Sequence, residues 1–362
     1  MFQRCLTVFL ILSFLASKGF GETLDAIRQQ FEIYQRFPGE IEILFTDDAK
    51  EIDNVLHRTE TKRLAVRKEL DKAPKARKAT RNLPSPLFAA EYATPFIHYV
   101  ATERAFAKRS LEHGKLDDVI LAIRYVYRLA DELSESGSLE LRTVAALIRL
   151  QVLEAAQLLV FHPLSKQEHH ELLYKILEEH IQNRTTDEVI WTRYREEGKQ
   201  FFVDVSKSAI DTMVSPNLLK KLMDRNALSK YVQAAAESVA HDRAVFLQIS
   251  EVIIESCASP FFKRLPTLRT LDEELRKRCG TASEPVFALL LLQDVTPSMR
   301  LFAQERSGIE TAYLALAVSL GKQDHSPFLN FLTGNEYDIR LITDGVMCTY
   351  DGNVKPFYVP YR

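Results

Sequence analysis

The chain has 362 residues, of which 46% are hydrophobic and 27% are charged, and only 12 are glycine. This composition excludes a disordered or fibrous protein, and the length suffices for one large or two smaller hydrophobic cores. With 47 Lys and Arg residues against 49 Asp and Glu residues, the net charge of −2 argues against a general nucleic-acid binder, which needs a basic face.

Residues 1–21 have the order of a secretory signal peptide. One arginine precedes an apolar run at 5–16, and Gly19 and Gly21 are small residues placed for cleavage before Glu22. The apolar run is too short to span a bilayer about 30 Å thick. An uncleaved anchor is the alternative. We therefore expect an exported protein, periplasmic or extracellular, with no membrane span after cleavage.

The stretch 22–85 is predicted to contain N-terminal helices and a basic linker. Apolar residues recur every three to four positions in TLDAIRQQFEIYQRF, at 23–37, as they do in an amphipathic helix. The segment 61–81 has nine Lys and Arg residues against two Asp and Glu residues. Such a segment predicts the end of a helix followed by an exposed linker. Contact of the linker with an anionic envelope polymer is the alternative.

Residues 86–332 carry the strongest helical pattern and are predicted to form a helical domain. Apolar stripes at 115–133 and 139–161 flank the short polar turn SESGS, which predicts two antiparallel helices. Ser165, followed by Glu168, is the expected N-cap of the next helix. Further helices are expected at about 186–210, 216–224 and 229–257, within 258–285, and at 298–320 with a C-cap at Gly321.

Residues 333–362 are predicted to form a small β element packed on the helical domain. Asp344 and Gly345, a pair typical of type I′ hairpin turns, separate the runs YDIRLIT and VMCTY, and VKPFYV follows as an edge segment. Alternation places Ile339 and Leu341 on one face, which we expect to be buried. The expected partners on the last helix are Leu314, Leu316 or Val318. A tail that adds a strand to another protein's sheet is the alternative.

Together these elements predict a mostly α fold, an irregular bundle or short solenoid of antiparallel helix pairs with a small C-terminal β-hairpin or sheet. Repeated amphipathic stripes joined by short polar turns are typical of such bundles.

The order of elements resembles a family of exported helical proteins without known activity from planctomycete-type bacteria, which end in a pilin-like tail with two Asp-Gly turns. The resemblance rests on LALAV at 314–318, TGNEYDIR at 333–340 and DGVMCTYDG at 344–352, and on the central hairpin at 128–156. The chain departs from the family in LNF, where members have DPF, in SG, where they have EP, and in lacking the closing acidic, glycine-containing run. The resemblance implies export and a helical fold, but no activity and no cation site.

The segment EHHELLYKILEEH is the strongest candidate for a metal site. His169, His170 and Glu171 are adjacent, but position 174 is Tyr, so the spacing is not that of H-E-x-x-H. Neighbouring residues of a helix diverge by about 100°, and His180 lies nearly three turns away. We therefore expect a solvated helix face and no metal.

Two further sets of residues are candidates for interaction and for cross-linking. Trp191, Tyr194 and Arg195 share one helix face, where they either form an exposed patch that binds a sugar or a carboxylate, or anchor the helix packing. Cys257 and Cys279 flank a loop and a short helix, and they form either a disulfide or two buried thiols.

The sequence contains no motif for a nucleophile, a phosphate-binding loop or a dinucleotide, so we expect no cofactor. Our first hypothesis is an exported, non-catalytic helical scaffold or interaction protein of the bacterial envelope. The alternative is an envelope-polymer hydrolase with carboxylates that converge from different helices. A pocket with buried carboxylates or histidines favours the hydrolase, and an exposed apolar groove favours the scaffold.

Overall fold

The computed structural model describes residues 26–27, 29–30, 43–44, 48–72, 89–135, 139–207, 225–278, 288, 291–292, 295–322, 329–350 and 356–361. The predicted signal peptide at 1–21, the linker at 73–85 and the helix predicted at 216–224 lie outside the described residues. The division of the chain at residues 85 and 332 stays a prediction.

The fold is mostly α with a small C-terminal antiparallel sheet, as predicted. The helices are α1 Ala49–Lys72, α2 Ala89–Glu112, α3 Leu116–Glu135, α4 Leu139–Phe161, α5 Gln167–Asn183, α6 Asp187–Lys207, α7 Arg225–Ser256, α8 Phe261–Arg278 and α9 Val295–Ser319. The strands are β1 Asp338–Ile342, β2 Gly345–Thr349 and β3 Phe357–Pro360.

The predicted antiparallel pair of α3 and α4 is confirmed. Three residues connect the two helices, which contact each other extensively. Val119 and Leu133 of α3 and Val144 and Ile148 of α4 are all buried in one hydrophobic cluster. The apolar stripe of each helix therefore faces the core, as the periodicity indicates.

The described residues form two hydrophobic clusters, and α9 belongs to both. The first cluster contains α1 to α5, the sheet and the part of α9 from Ile309 to Ala317. The second contains α6, α7 and α8, Leu139 and Ala146 of α4, and the part of α9 from Val295 to Ala303. Both α4 and α9 therefore contribute to the two clusters, and a short polar stretch of α9 lies between them.

Capping explains several helix ends. Asp48 caps α1, because its Oδ1 accepts hydrogen bonds from the backbone N–H groups of Lys50 and Glu51 at 3.0 and 3.1 Å. Gly321 has a φ of 66°, and the N–H of Lys322 donates to the carbonyl of Ala317 at 3.0 Å. This is a Schellman arrangement, so the predicted C-cap is confirmed.

The predicted N-cap at Ser165 is wrong by one residue. The backbone N–H of Ser165 donates to the carbonyl of His162 at 2.8 Å, so Ser165 belongs to the preceding turn. The helix begins after Lys166, whose N–H donates to Nδ1 of His169 at 2.9 Å. In a capping box, the side chain three residues after the N-cap accepts a hydrogen bond from the backbone N–H of the N-cap residue. His169 plays this role here, whereas the sequence predicts it for Glu168.

The turn between β1 and β2 also differs from the prediction. Ile342 pairs with Gly345, so Thr343 and Asp344 form the turn and Gly345 is the first residue of β2. Gly345 is not among the described glycines with positive φ. A Cβ at this position would lie 2.4 Å from the carbonyl oxygen of Val359, so glycine is required by the close approach of β3.

The sheet packs on the helices through β2 and β3. The strand order is β1-β2-β3, and α9 contacts β2 and β3 while α4 contacts β3. Val346, Cys348, Phe357 and Val359 are buried. The predicted helix partners Leu314 and Leu316 lie in the same cluster as Cys348, Phe357 and Val359, whereas Val318 is only half-buried.

The predicted burial of β1 is wrong for Leu341, which is 69% exposed. Ile339 alone packs partly on the first cluster. The reason is the position of the strand, because β1 is the edge strand farther from α9, which contacts β2 and β3. Alternation along a strand indicates its two faces but not its distance from the core.

One described helix is long and apolar enough, by length and composition, to cross a membrane. It comprises Leu141–Phe161, with a mean hydropathy of 1.7, and half of it is buried in the fold. The helix contacts α2, α3 and α9. Its apolar character is therefore that of the central helix of a packed core.

We predict that Phe357→Ala lowers the free energy of unfolding by about 3–5 kcal/mol, because the buried ring fills the junction between sheet and helices. Urea denaturation measures the change. Leu341→Ala, in the same sheet but exposed, is the control and should change stability by less than about 0.5 kcal/mol. If Phe357→Ala lowers the free energy of unfolding as little as Leu341→Ala does, the sheet is a detachable tail and not part of the core.

Candidate functional site

A buried carboxylate lies at the centre of the polar stretch of α9. Glu305 is fully buried and accepts hydrogen bonds from Nη2 of Arg142 at 2.6 Å and from Nη1 of Arg149 at 2.7 Å. Both arginines belong to α4 and are seven residues apart, so they lie on the same helix face. Glu305 therefore binds α4 to α9 through two charge-assisted hydrogen bonds.

The network continues from Arg149 to α3 and α5. Nη2 of Arg149 donates to Oδ1 of Asp131 at 2.6 Å and to Oγ of Ser134 at 3.0 Å. The same Oδ1 of Asp131 lies 2.9 Å from Nδ1 of His180. Side chains from α3, α4, α5 and α9 therefore form one connected network.

A second carboxylate of α9 connects the sheet to the helices. Oε1 of Glu310 accepts hydrogen bonds from Nη1 of Arg184 at 3.2 Å and from Nε of Arg306 at 2.8 Å. The hydroxyl of Tyr337 donates to the other oxygen at 2.6 Å. Since Tyr337 directly precedes β1, this hydrogen bond attaches the chain entering the sheet to α9.

The charges of the network determine its protonation state. Burial alone would raise the pKa of Glu305, but Arg142 and Arg149 outweigh it and hold this pKa below its usual value. Burial likewise opposes the ionisation of Asp131, and its neighbours His180 and Arg149 lower its pKa. Both carboxyl groups are therefore ionised at neutral pH.

His180 is neutral at neutral pH, because burial, and then the charge of Arg149, lower the pKa of its ring. An ionised carboxylate only accepts hydrogen bonds, so Nδ1 of His180 carries the proton and donates to Asp131. The other ring nitrogen, Nε2, consequently has a free lone pair. It is buried and has no hydrogen-bond partner among the described residues.

A small polar cleft opens beside this network, with a free volume of about 10 Å³. A buried water needs about this much space, so the cleft has room for about one water molecule and not for a larger ligand. It is lined by Asp131, Ser134, Glu135, Arg142, Arg149, His180, Asn183, Arg184 and Thr185.

A second buried ion pair joins α1 to α2. Arg67 donates to both carboxylate oxygens of Glu103, at 2.8 and 2.6 Å. Arg63 lies 3.7 Å from the same carboxylate and 3.6 Å above the ring of Phe106. The expectation of an exposed basic segment is therefore wrong for Arg63 and Arg67. Both side chains are buried against α2, and their burial is possible because the carboxylate of Glu103 neutralises their charge.

The exposed patch proposed for Trp191, Tyr194 and Arg195 is wrong, and the alternative of a packing anchor is confirmed. Trp191 and Tyr194 are 1% and 2% exposed, and their rings meet edge-on at 5.6 Å. The Tyr194 hydroxyl donates to the carbonyl of Leu291 at 2.6 Å. Arg195 forms a partly exposed ion pair with Glu251 at 2.7 Å. The aromatic side of the helix therefore faces the second cluster and anchors the helix packing.

The predicted solvated face of α5 is wrong for two of its histidines. His170 and His180 are 1% and 4% exposed and lie on the stripe that also buries Leu173 and Leu177. The spacing of three to four residues in this stripe is the signal that sequence reasoning missed. Among the described residues no group of three His, Cys, Asp or Glu side chains could hold a metal ion.

The predicted disulfide stays untested, because Cys279 lies outside the described residues. Cys257 is half-buried beside the second cluster, and burial raises the pKa of its thiol to about 12. Cys348 is a buried free thiol, and burial likewise raises its pKa to about 12. Both thiols are therefore protonated and unreactive as nucleophiles at neutral pH.

Comparison of the chain with protein-family models, curated proteins and solved structures finds no match.

We predict that Glu305→Gln lowers the free energy of unfolding by about 3–5 kcal/mol at pH 7, because two buried arginines lose their counter-charge. A depressed folded pKa contributes stability above the ordinary Glu value of 4.5, and this contribution is lost as pH falls. As pH falls, the free energy of unfolding should therefore decrease less steeply in the variant than in the wild type. The difference between the two acid slopes should be up to about 1.4 kcal/mol per pH unit.

Urea denaturation between neutral and acidic pH measures both effects. Glu251→Gln is the control, since Glu251 pairs with Arg195 on the surface and should contribute at most about 1 kcal/mol. An unchanged acid slope in Glu305→Gln would contradict the assignment of an ionised buried carboxylate.

We predict that Trp191→Ala costs about 3–5 kcal/mol of stability, because the side chain fills the second cluster. Arg195→Ala, four residues further along the same helix, should cost no more than about 1 kcal/mol. Thermal or urea unfolding compares the two variants, and acrylamide quenching of the single Trp gives an independent check. A fully quenched Trp in the folded protein would contradict burial.

Proposed function

We propose that this protein is an exported, non-catalytic scaffold or interaction protein of the bacterial envelope, periplasmic or extracellular. The observation that carries the proposal is the asymmetry of the C-terminal sheet, in which one edge is covered and the other is open. The signal-like order of residues 1–21 and the resemblance to exported planctomycete-type proteins support the location.

The covered edge belongs to β3. The side-chain amide of Gln157 in α4 donates from Nε2 to the carbonyl of Tyr358 at 2.7 Å. Its Oε1 accepts from the backbone N–H of Tyr358 at 2.9 Å. One glutamine thus occupies both backbone groups that a neighbouring strand would use.

The open edge belongs to β1. No described residue forms a hydrogen bond to its outer side, and Leu341 and Ile342 are 69% and 38% exposed. Asp338 and Arg340 form an exposed ion pair on the same strand. Proteins usually protect an edge strand with lysine, proline or a covering element, and an apolar open edge is a site for addition of a partner's strand.

An apolar surface near the other side of the sheet also supports an interaction role. Leu158 and Phe161, at the end of α4, and Leu164, in the following turn, are 58%, 48% and 60% exposed. The ring of Phe161 lies 5.1 Å from that of Tyr358 in β3. Clustered exposed apolar side chains are typical of protein-binding surfaces.

The contacts argue against the hydrolase alternative, although carboxylates do converge from different helices. Asp131 and Glu305 both have lowered pKa values, because arginines and His180 surround them. A glycosidase needs one carboxyl group with a raised pKa as general acid. The two carboxylates of the network are instead neutralised by their neighbours, which is the arrangement of a structural ion pair.

The test of this proposal is a site-specific photo-crosslinker placed on the open edge in the native envelope. We predict that a photoreactive phenylalanine at position 341 gives a discrete adduct with an envelope protein. The same group at position 64, where Leu64 of α1 is 50% exposed, is the control and should give none. Equal adducts at both positions, or none at 341, would contradict a binding edge at β1.

Export is tested in the same experiment by the mass of the protein. Cleavage before Glu22 should give a chain that lacks residues 1–21 and appears in the periplasmic or extracellular fraction. A protein that keeps these residues and stays in the cytoplasm would contradict the proposed location, whatever the result of cross-linking.

A further inference from the structure

The open edge of the sheet presents the backbone groups of alternate residues of β1. Ile342 and Gly345 flank a two-residue turn, so they exchange backbone hydrogen bonds with each other. Hydrogen-bonded pairs alternate along an antiparallel hairpin, so the backbone groups of Arg340 are likewise directed at β2. The N–H and C=O groups of Ile339 and Leu341 therefore point to the open edge.

The two faces of β1 differ in character. Ile339 and Leu341 lie on the face that is directed at the helices, since their partners Cys348 and Val346 are buried. The acidic and the basic residue that alternate with them lie on the opposite, solvent-exposed face. A strand that pairs with β1 must therefore match an apolar face and a charged face together.

The order of the charges makes β1 complementary to itself. Asp338 directly precedes Ile339, and Arg340 directly follows it. When two copies of β1 pair antiparallel about Ile339, Asp338 of each copy lies opposite Arg340 of the partner subunit. Cβ atoms of directly opposite residues are about 4.5–5.5 Å apart, so opposite charges there stabilise the pair. One twofold axis therefore produces two ion pairs.

The same charges disfavour the neighbouring registers. Pairing about Arg340 places two arginines directly opposite each other, and like charges at this position destabilise a sheet. Pairing about Leu341 brings Asp338 opposite Asp344 of the turn, so two acidic residues face each other. Pairing about Ile339 is therefore the register that the charges select.

The helices leave room for a second copy beside β1. Because α9 contacts β2 and β3, its axis lies over these two strands. Neighbouring strands are about 4.8 Å apart, so in a sheet joined through β1 the two copies of α9 are about 19 Å apart. A helix with its side chains is about 10–12 Å wide, so the two copies do not collide. Ile339 and Leu341 of both copies fill the space between them.

We propose that a second copy of this chain occupies the open edge, through antiparallel pairing of the two β1 strands about Ile339. The three strands of each copy then form one continuous sheet of six strands. Pairing of β1 with β3 of another copy is blocked, because Gln157 occupies the backbone groups of Tyr358. The assembly is therefore a twofold-symmetric dimer. This inference rests on the proposed interaction role of the same edge and names its partner.

Charge reversal tests the pairing, and sedimentation velocity of the purified protein over a range of concentrations measures it. The wild type should form a concentration-dependent dimer. Asp338→Arg and Arg340→Asp should each weaken the dimer at least tenfold at low ionic strength, because each places like charges opposite each other twice. An equimolar mixture of the two variants should restore the dimer, since each opposing pair then joins opposite charges.

Glu196→Arg is the matched control, because it makes the same change of charge in an exposed ion pair, with Lys199 of α6. It should dimerise as the wild type does. Restoration in the mixture also shows that both β1 variants are folded. Absence of a wild-type dimer, absence of restoration in the mixture, or equal weakening by Glu196→Arg and Asp338→Arg would overturn the proposal.

Photo-cross-linking from position 341 in the native envelope separates this inference from the proposed function. An adduct with twice the mass of the chain supports the dimer. An adduct with a different protein supports an interaction edge at β1 but overturns the second copy as its occupant. Absence of any adduct would contradict both.

Discussion

The arrangement of the helices depends on the neutralisation of one buried carboxylate. A charge without solvent is tolerated only when it is paired and hydrogen-bonded, and Glu305 meets this condition through Arg142 and Arg149. Because the two arginines are two turns apart on α4, the ion pairs fix the axial position and the rotation of α4 relative to α9.

This fixed contact has wider effects because α9 belongs to both hydrophobic clusters. Its first half lies in the cluster that contains α6, α7 and α8, and its second half lies in the cluster that contains the α1–α5 helices and the sheet. The polar stretch between them carries Glu305 and Glu310, which connect α4, α5 and the chain entering β1. The same few side chains therefore set the position of the cleft and of the sheet.

The sequence predicts those features that arise from local pattern. The stripes of α3 and α4 and the glycine that ends α9 follow from spacing and backbone conformation within a few residues. The ion pairs could not be found in this way, since Arg142 and Arg149 are 163 and 156 residues away from Glu305. The exposure of Leu341 likewise depends on which strand α9 covers, and the burial of Trp191 depends on which neighbour faces its helix.

The hydrogen bonds of Gln157 to Tyr358 have a consequence for assembly. A sheet with two open edges can add copies of itself at both ends and grow into a fibril. Here the amide of Gln157 occupies the backbone groups of Tyr358 at the β3 edge. If a partner strand adds at β1, the covered edge of β3 would therefore limit the complex to one added strand per chain.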